Sequence, residues 1–270
     1  MTRLVVTILM ALALLIPAVV PGKAGAGSVE ATAPVLPAAE VAAFADAVQH
    51  DLAARGAGVA IVARTGRDPD DLPPGVRYTH VAFWVWSAIT RADGTEGRGY
   101  RVWNLYQRAD DPTRSDLVQE SPAEFLAGAR RMEVGVIVPD PRLQAKLLRV
   151  IAGPDYARLH NPRYSVLANP ADPRFQNCTE HTLHVLMAAL YGTADRDRIH
   201  ANVAAHFRPQ PIELAGAKRL LAPLASGALT TADHGGTVAT ATFGSIARFL
   251  QEHGLEEAVY RLTPQGPQRF

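Results

Sequence analysis

The chain of 270 residues contains one cysteine, Cys178, so no intramolecular disulfide can staple it. Beyond about Val20 no stretch is long and apolar enough to cross a bilayer, which takes about 20 residues as a helix. Blocks of Lys and Arg are missing and the formal charge is +1, which leaves no electrostatic case for nucleic-acid binding. Internal repeats are absent, and only the segment before residue 38 is compositionally biased. With 48% hydrophobic residues, the chain has enough apolar content for one core, and a single domain is expected over 38–270.

Residues 1–26 read as a secretory signal peptide. Arg3 supplies a positive start, Leu4 to Val20 an apolar run, and Ala24-Gly25-Ala26 a small-residue cleavage site. An uncleaved anchor is the alternative, against which stand Pro17, Pro21 and the shortness of the run. Removal takes away Arg3 and Lys23 and no acid, moving the formal charge from +1 to −1. The expected product is periplasmic or secreted, with no membrane span after cleavage and with 27–37 as a flexible leader rich in Ala, Pro and Val. Export would put Cys178 in an oxidising compartment without a partner thiol, which points to a reactive group or an intermolecular bridge.

From Ala38 the apolar positions Val41, Phe44, Ala45, Val48 and Leu52 recur with helical period, and Gly56 stops them. Val59 to Ala63 reads as a short buried strand. Tyr78 to Trp86, rich in β-branched and aromatic residues, pairs across Asp93-Gly94 with Tyr100 to Tyr106 as an antiparallel hairpin. Gln107 to Ser121 reads as irregular. Ser121-Pro122 starts a helix, Glu133 to Val138 is a strand, and Asp140-Pro141 starts another helix carrying Leu143, Leu147, Val150 and Ile151. Pro154 to Pro173 is a long loop that delivers the chain to a helix at Cys178, ending near Gly192. Helices follow at Asp195 to Phe207, Ala215 to Leu224 and Phe243 to Leu250. Leu229 to Asp233 is expected to pair with Thr237 to Ala241, and Val259 to Leu262 to form a last edge strand. The order predicts an α+β fold with a small, largely antiparallel sheet packed against helices.

The stretch Phe175-Gln176-Asn177-Cys178-Thr179-Glu180-His181 carries the candidate chemistry. Asn177 is a good N-cap, so Cys178 falls in the first helical turn, where orphan N–H groups and the helix dipole favour a thiolate. A buried structural cysteine is the competing reading. A thiol nucleophile needs an imidazole to take its proton and a polar group to orient that imidazole. His80 is the candidate base, because a histidine sharing an apolar strand face with Ala82 and Trp84 is costly without a partner. Asn104 on the returning strand is the candidate orienting residue, with Tyr106 and Gln107 as alternatives. The competing readings are a core histidine bonded to a carbonyl and an asparagine without a catalytic role.

Thr79-His80-Val81-Ala82-Phe83, followed by a strand with a polar residue and then by Asn177-Cys178, resembles the circularly permuted papain-like hydrolases of the NlpC type. Asn177-Cys178-Thr179-Glu180-His181 is similar to the Asn-Cys-Glu-His segment of the lecithin retinol acyltransferase group, with Thr179 as an extra residue. Over about Phe44 to Leu250 the chain resembles an exported bacterial family, domain of unknown function 2145. The stretches that carry this are Ala63 to Arg67, Tyr78 to Val81, Val136 to Pro139, Pro162 to Ser165 and Phe175 to Cys178. That family carries a histidine where Asn104 stands here. The resemblance implies a permuted papain-like fold and a Cys178/His80 pair. It also implies an amide or ester of the cell envelope, a peptide or a lipid, as substrate.

Other polar residues are weighed beside these. His181 and His184 lie one turn apart, which suits two metal ligands, but no third ligand is marked and a polar helix face is the simpler reading. Asp233-His234 is read as a solvated turn or an acid/base pair, and Arg64 and Arg67 as carboxylate binders or strand-end charges. No cofactor or metal is expected. Two functions stand against each other: an exported thiol hydrolase or acyltransferase using Cys178, His80 and Asn104, and a non-catalytic binding or assembly module in which Cys178 is inert.

Overall fold

Side chains on a strand alternate between two faces, and in this protein both faces are covered. The computed structural model describes residues 34–68, 70, 72–91, 93–213 and 230–270. Expectations for the signal peptide, for the helix at 215–224 and for the strand start at 229 lie outside the described residues.

Helix α1 (Ala38–Ala54) leads into β1 (Val59–Arg64), β2 (His80–Thr90), β3 (Glu96–Gln107) and β4 (Ser115–Glu120). Then come α2 (Pro122–Ala127), β5 (Val134–Pro139), α3 (Pro141–Ala152), the single turn α4 (Asp155–Arg158), α5 (Cys178–Tyr191) and α6 (Arg196–His206). Short β6 (Gln210–Pro211) and β7 (Ala239–Thr240), α7 (Phe243–Glu252), β8 (Glu256–Thr263) and β9 (Gly266–Arg269) complete the described elements. Seven strands form one sheet in the order β4-β3-β2-β1-β5-β8-β9, antiparallel at every pairing. The α+β class is as expected from the pattern, with a sheet larger than expected.

The central strands β1 and β5 are buried along their whole length, so each feeds two cores. Ala60, Val62, Ala82, Trp84, Tyr100, Val102, Val134 and Val136 face α1 and α2, where Val48, Leu52, Phe125 and Leu126 meet them. Val59, Ile61, Val81, Phe83, Val85 and Ile137 face the other way, against α3, α5, α6 and α7. Helix α5 is the centre of that second layer: every residue from Cys178 to Ala189 is buried, so the helix is covered on its outer side as well.

Local signals explain the helix ends. Ser121 and Glu124 form a capping box around Pro122, and the Asp140 carboxylate accepts from the N–H groups of Arg142 and Leu143. The Asn177 side chain accepts from the Glu180 N–H, and α5 closes on Gly192 at φ +64°, a left-handed conformation that suits glycine.

Three expectations are corrected. Gln107 to Ser121 contains the edge strand β4, whose sequence Ser115-Asp116-Leu117-Val118-Gln119-Glu120 is too polar to advertise itself because it has a neighbour on one side only. Ala239–Thr240 pairs with Gln210–Pro211 and not with the segment before His234. Strand β8 is not an edge, since Gly266 at φ +103° turns the chain back into β9.

Gln144 of α3 ties the layers to the sheet. Its side-chain oxygen accepts from the N–H groups of Gly58 and Val59 at 2.8 and 3.1 Å, and its amide donates to the Pro139 carbonyl at 2.8 Å. Replacing Gln144 by Leu keeps the volume but strands those backbone groups. We expect a loss of about 2 to 4 kcal/mol in unfolding free energy, measured by urea titration.

Candidate functional site

His80 opens β2 and lies beside Arg64, its partner in the β1 register. Its Nε2–H donates to Asn104 Oδ1 at 2.9 Å, and its ring stacks on Tyr106 with centroids 4.7 Å apart. The amide orientation of Asn104 is set from its other end, where Nδ2 donates to Glu120 Oε1 at 2.8 Å; Tyr106 donates to the same oxygen at 2.8 Å. Oδ1 must therefore face His80, which assigns the imidazole proton to Nε2. Burial, reinforced by the Arg64 guanidinium, holds His80 well below the ordinary histidine range and so neutral. Burial raises Glu120, against the opposing pull of Asn104, Tyr106 and Arg64. Arg64 itself donates to the Gly128 carbonyl and lies 5.4 Å above the centre of the Phe125 ring. His80 and Asn104 are thus brought together, in a closed network under α2.

Cys178 is on the other side of the sheet. It begins α5, which packs on β2 through the face of Val81, Phe83 and Val85, whereas His80 shares the face of Ala82 and Trp84. The expected Cys178/His80 pair is therefore not formed. The reason is strand parity: Ala82 and Trp84, which share the face of His80, belong to the core under α1 and α2. Cys178 Sγ lies 3.7 Å from the Thr179 hydroxyl, and the residue is 5% exposed. It lines a cavity of about 60 Å³ with Arg67, Tyr78, Thr79, Tyr164, Asn177 and Thr240 among its walls. None of the described lining residues is a histidine or an acid. The pocket is framed by the Asn177 amide, which donates to the Val166 carbonyl at 3.0 Å and to the Thr240 hydroxyl at 3.2 Å.

The remaining titratable candidates diverge from one another. His181 is buried against Tyr156, ring centroids 4.8 Å apart, with neither ring nitrogen hydrogen-bonded among the described residues. His184 accepts at Nδ1 from the Gln176 amide at 3.0 Å, and its Nε2 lies 3.4 Å from the Pro170 carbonyl and 3.5 Å from Glu180 Oε1. Among the described residues no three His, Cys, Asp or Glu side chains are arranged to hold a metal. Asp233 is buried and accepts from the Asn169 N–H at 2.7 Å, while His234 donates from Nε2 to the Leu167 carbonyl at 2.7 Å. The pair braces a loop and is not a solvated turn.

The sequence places Glu180 in the Asn177-to-His181 stretch but does not show its burial without a hydrogen-bond partner among the described residues. It is completely buried, neither of its oxygens has a hydrogen-bond partner among the described residues, and burial together with the field of Asp233 raises it well above the carboxylate range. Its sequence signal is an acid inside a run that is otherwise buried on all sides.

These features define a class: an α+β protein whose antiparallel sheet separates two helical layers, with its single cysteine at the head of a helix buried from Cys178 to Ala189. The chain belongs to the bacterial family described as an uncharacterized protein conserved in bacteria, DUF2145, whose model matches residues 51–250. Comparison with curated proteins and with solved structures gave no match.

Buried neutral histidines make stability depend on pH. Burial first, then the neighbouring His200, pushes His184 down to about 3. A depressed histidine contributes stability that is complete above the unfolded value, about 6.5, and is lost as pH falls toward the folded one. Glu180, raised in the fold, works in the opposite direction. We expect urea-unfolding free energy to fall as pH drops below about 6.5, and His184→Gln to reduce that slope by up to about 1.4 kcal/mol per pH unit.

Proposed function

We propose that the protein is a binding module of the cell envelope, exported by residues 1–26, which takes an amino-acid-sized peptide or acyl group in the pocket at the head of α5. The observation that carries this reading is the separation of His80 from Cys178 by the sheet, with His80 committed to Asn104 and Tyr106. Papain-like catalysis depends on an imidazole that takes the thiol's proton, and the imidazole expected in that role is engaged with Asn104 and Tyr106 instead. The pocket mixes apolar walls (Val76, Val166, Leu167, Ile212, Ala241) with hydroxyls and the Arg67 guanidinium. A volume of about 60 Å³ suits a short group and not a long lipid chain.

A second reading retains the permuted papain-like hydrolase or acyltransferase. What favours it is the place of Cys178 in the first turn of α5, beside the Asn177 cap and on the pocket wall. Its base would then have to be a group other than His80.

Alkylation of Cys178 separates the readings. For the binding module, His80→Ala leaves the pH profile of alkylation by a small reagent unchanged and lowers stability by about 2 to 4 kcal/mol through the cavity and the broken network. Short envelope peptides bind wild type and Cys178→Ser alike in calorimetry, and intact mass shows no adduct. A thioester on Cys178, with turnover abolished by Cys178→Ser, overturns the proposal.

A further inference from the structure

The segment Ala168 to Pro173 lies over the outer side of α5 and continues directly from Val166 and Leu167, which line the Cys178 pocket. Side chains from three other elements hold it. Asn169 donates from its backbone N–H to Asp233 Oδ2 at 2.7 Å and from its amide to the Asp233 carbonyl at 2.9 Å. The Thr240 hydroxyl donates to the Ala168 carbonyl at 2.8 Å. The Pro170 carbonyl faces two imidazoles, His184 Nε2 and His200 Nδ1, each at 3.4 Å.

The proton on His184 is assigned by its neighbours. Gln176 Oε1 accepts from the Asn161 N–H at 2.8 Å, so the Gln176 amide nitrogen is the end that faces His184 Nδ1. Nδ1 accepts, and Nε2 therefore carries the only N–H of the neutral ring. That one donor stands between two acceptors at nearly equal distance, the Pro170 carbonyl at 3.4 Å and Glu180 Oε1 at 3.5 Å. A carboxylate is roughly twice as strong an acceptor as a neutral group. The charge on Glu180 thus decides which acceptor wins.

We propose that His184 is a latch: its single N–H holds the Ala168–Pro173 strap through Pro170 while Glu180 is uncharged, and turns to Glu180 when that carboxyl ionises, loosening the strap beside the Cys178 pocket. The groups that set the ionisation surround Glu180 on every side. Asp233 from the 230–242 segment and Asp172 from the strap oppose the charge, and Arg196 of α6 favours it. His184 lies on the same helix, and His200 of α6 sits against His184 with ring centroids 4.7 Å apart. Burial is the dominant influence and keeps the carboxyl uncharged well above the usual carboxylate range, so the latch releases on going to higher pH.

Hydrogen exchange of the full chain, read by mass spectrometry on peptides covering 166–174 and corrected for intrinsic exchange, tests the latch. Wild type is expected to lose protection in the strap by about tenfold or more as the pH is raised from acidic to alkaline, the worth of one charge-assisted bond over a neutral one. Glu180→Gln, which cannot ionise, is expected to hold its protection across that range. A second variant, Asp233→Asn, keeps an acceptor for Asn169 but removes a field that opposes the charge, and is expected to move the transition to lower pH. Equal loss of protection in wild type and Glu180→Gln, or an Asp233→Asn midpoint that does not move, overturns the latch.

Discussion

Alternation of side chains along a strand is the constraint on which the rest of this structure depends. Because β1 and β5 are buried on both faces, each residue on the inner strands belongs to one of two cores that do not communicate through the sheet. A step of one residue moves a group from one helical layer to the other. His80 goes with Ala82 and Trp84 toward α1 and α2; Val81 and Phe83 go toward α5. The two candidate groups of the sequence, an imidazole and a thiol, are thereby assigned to different compartments.

Each compartment resolves its polar groups in its own way. Under α2, His80, Asn104, Tyr106 and Glu120 form a chain of hydrogen bonds beside the Arg64 guanidinium, with His80 neutral and its tautomer dictated by Asn104. Around α5 the situation is less complete. A helix buried from Cys178 to Ala189 needs cover on its outer side, and the loops at 159–177 and 230–242 supply it. Their exposed backbone groups are met by Gln176, Asn177, His184, His200, Asp233 and Thr240, which accounts for much of the polar content of an otherwise apolar layer. Glu180 is left with no hydrogen-bond partner among the described residues, and its burial disfavours the charged form.

The family assignment and the geometry bear on different questions. Membership in DUF2145 covers residues 51–250 and carries no reaction with it. Among the described residues, the surroundings of Cys178 are a short pocket, a helix N-terminus, hydroxyls and the Arg67 guanidinium. The binding-module proposal rests on a site of this kind holding a ligand by shape and a few polar contacts.

The sequence by itself determined the local structure wherever one residue type has one good place. Pro122 and Pro141 just inside helix starts, Asn177 before α5, Gly192 after it and the Asp93-Gly94 turn all sit where their backbone preferences require. The hairpin and the α+β class followed from apolar periodicity. The juxtaposition of His80 with Asn104 was also legible, because two facing strands joined by a short turn admit few registers. Only the tertiary structure decided what lies across the sheet. Periodicity says that His80 and Ala82 share a face, but not which helices cover that face, since coverage depends on contacts between residues far apart in the chain. For the same reason the edge strand β4, the pairing of β6 with β7 and the burial of Glu180 escaped the sequence. Each is created by a neighbour that arrives from elsewhere in the fold.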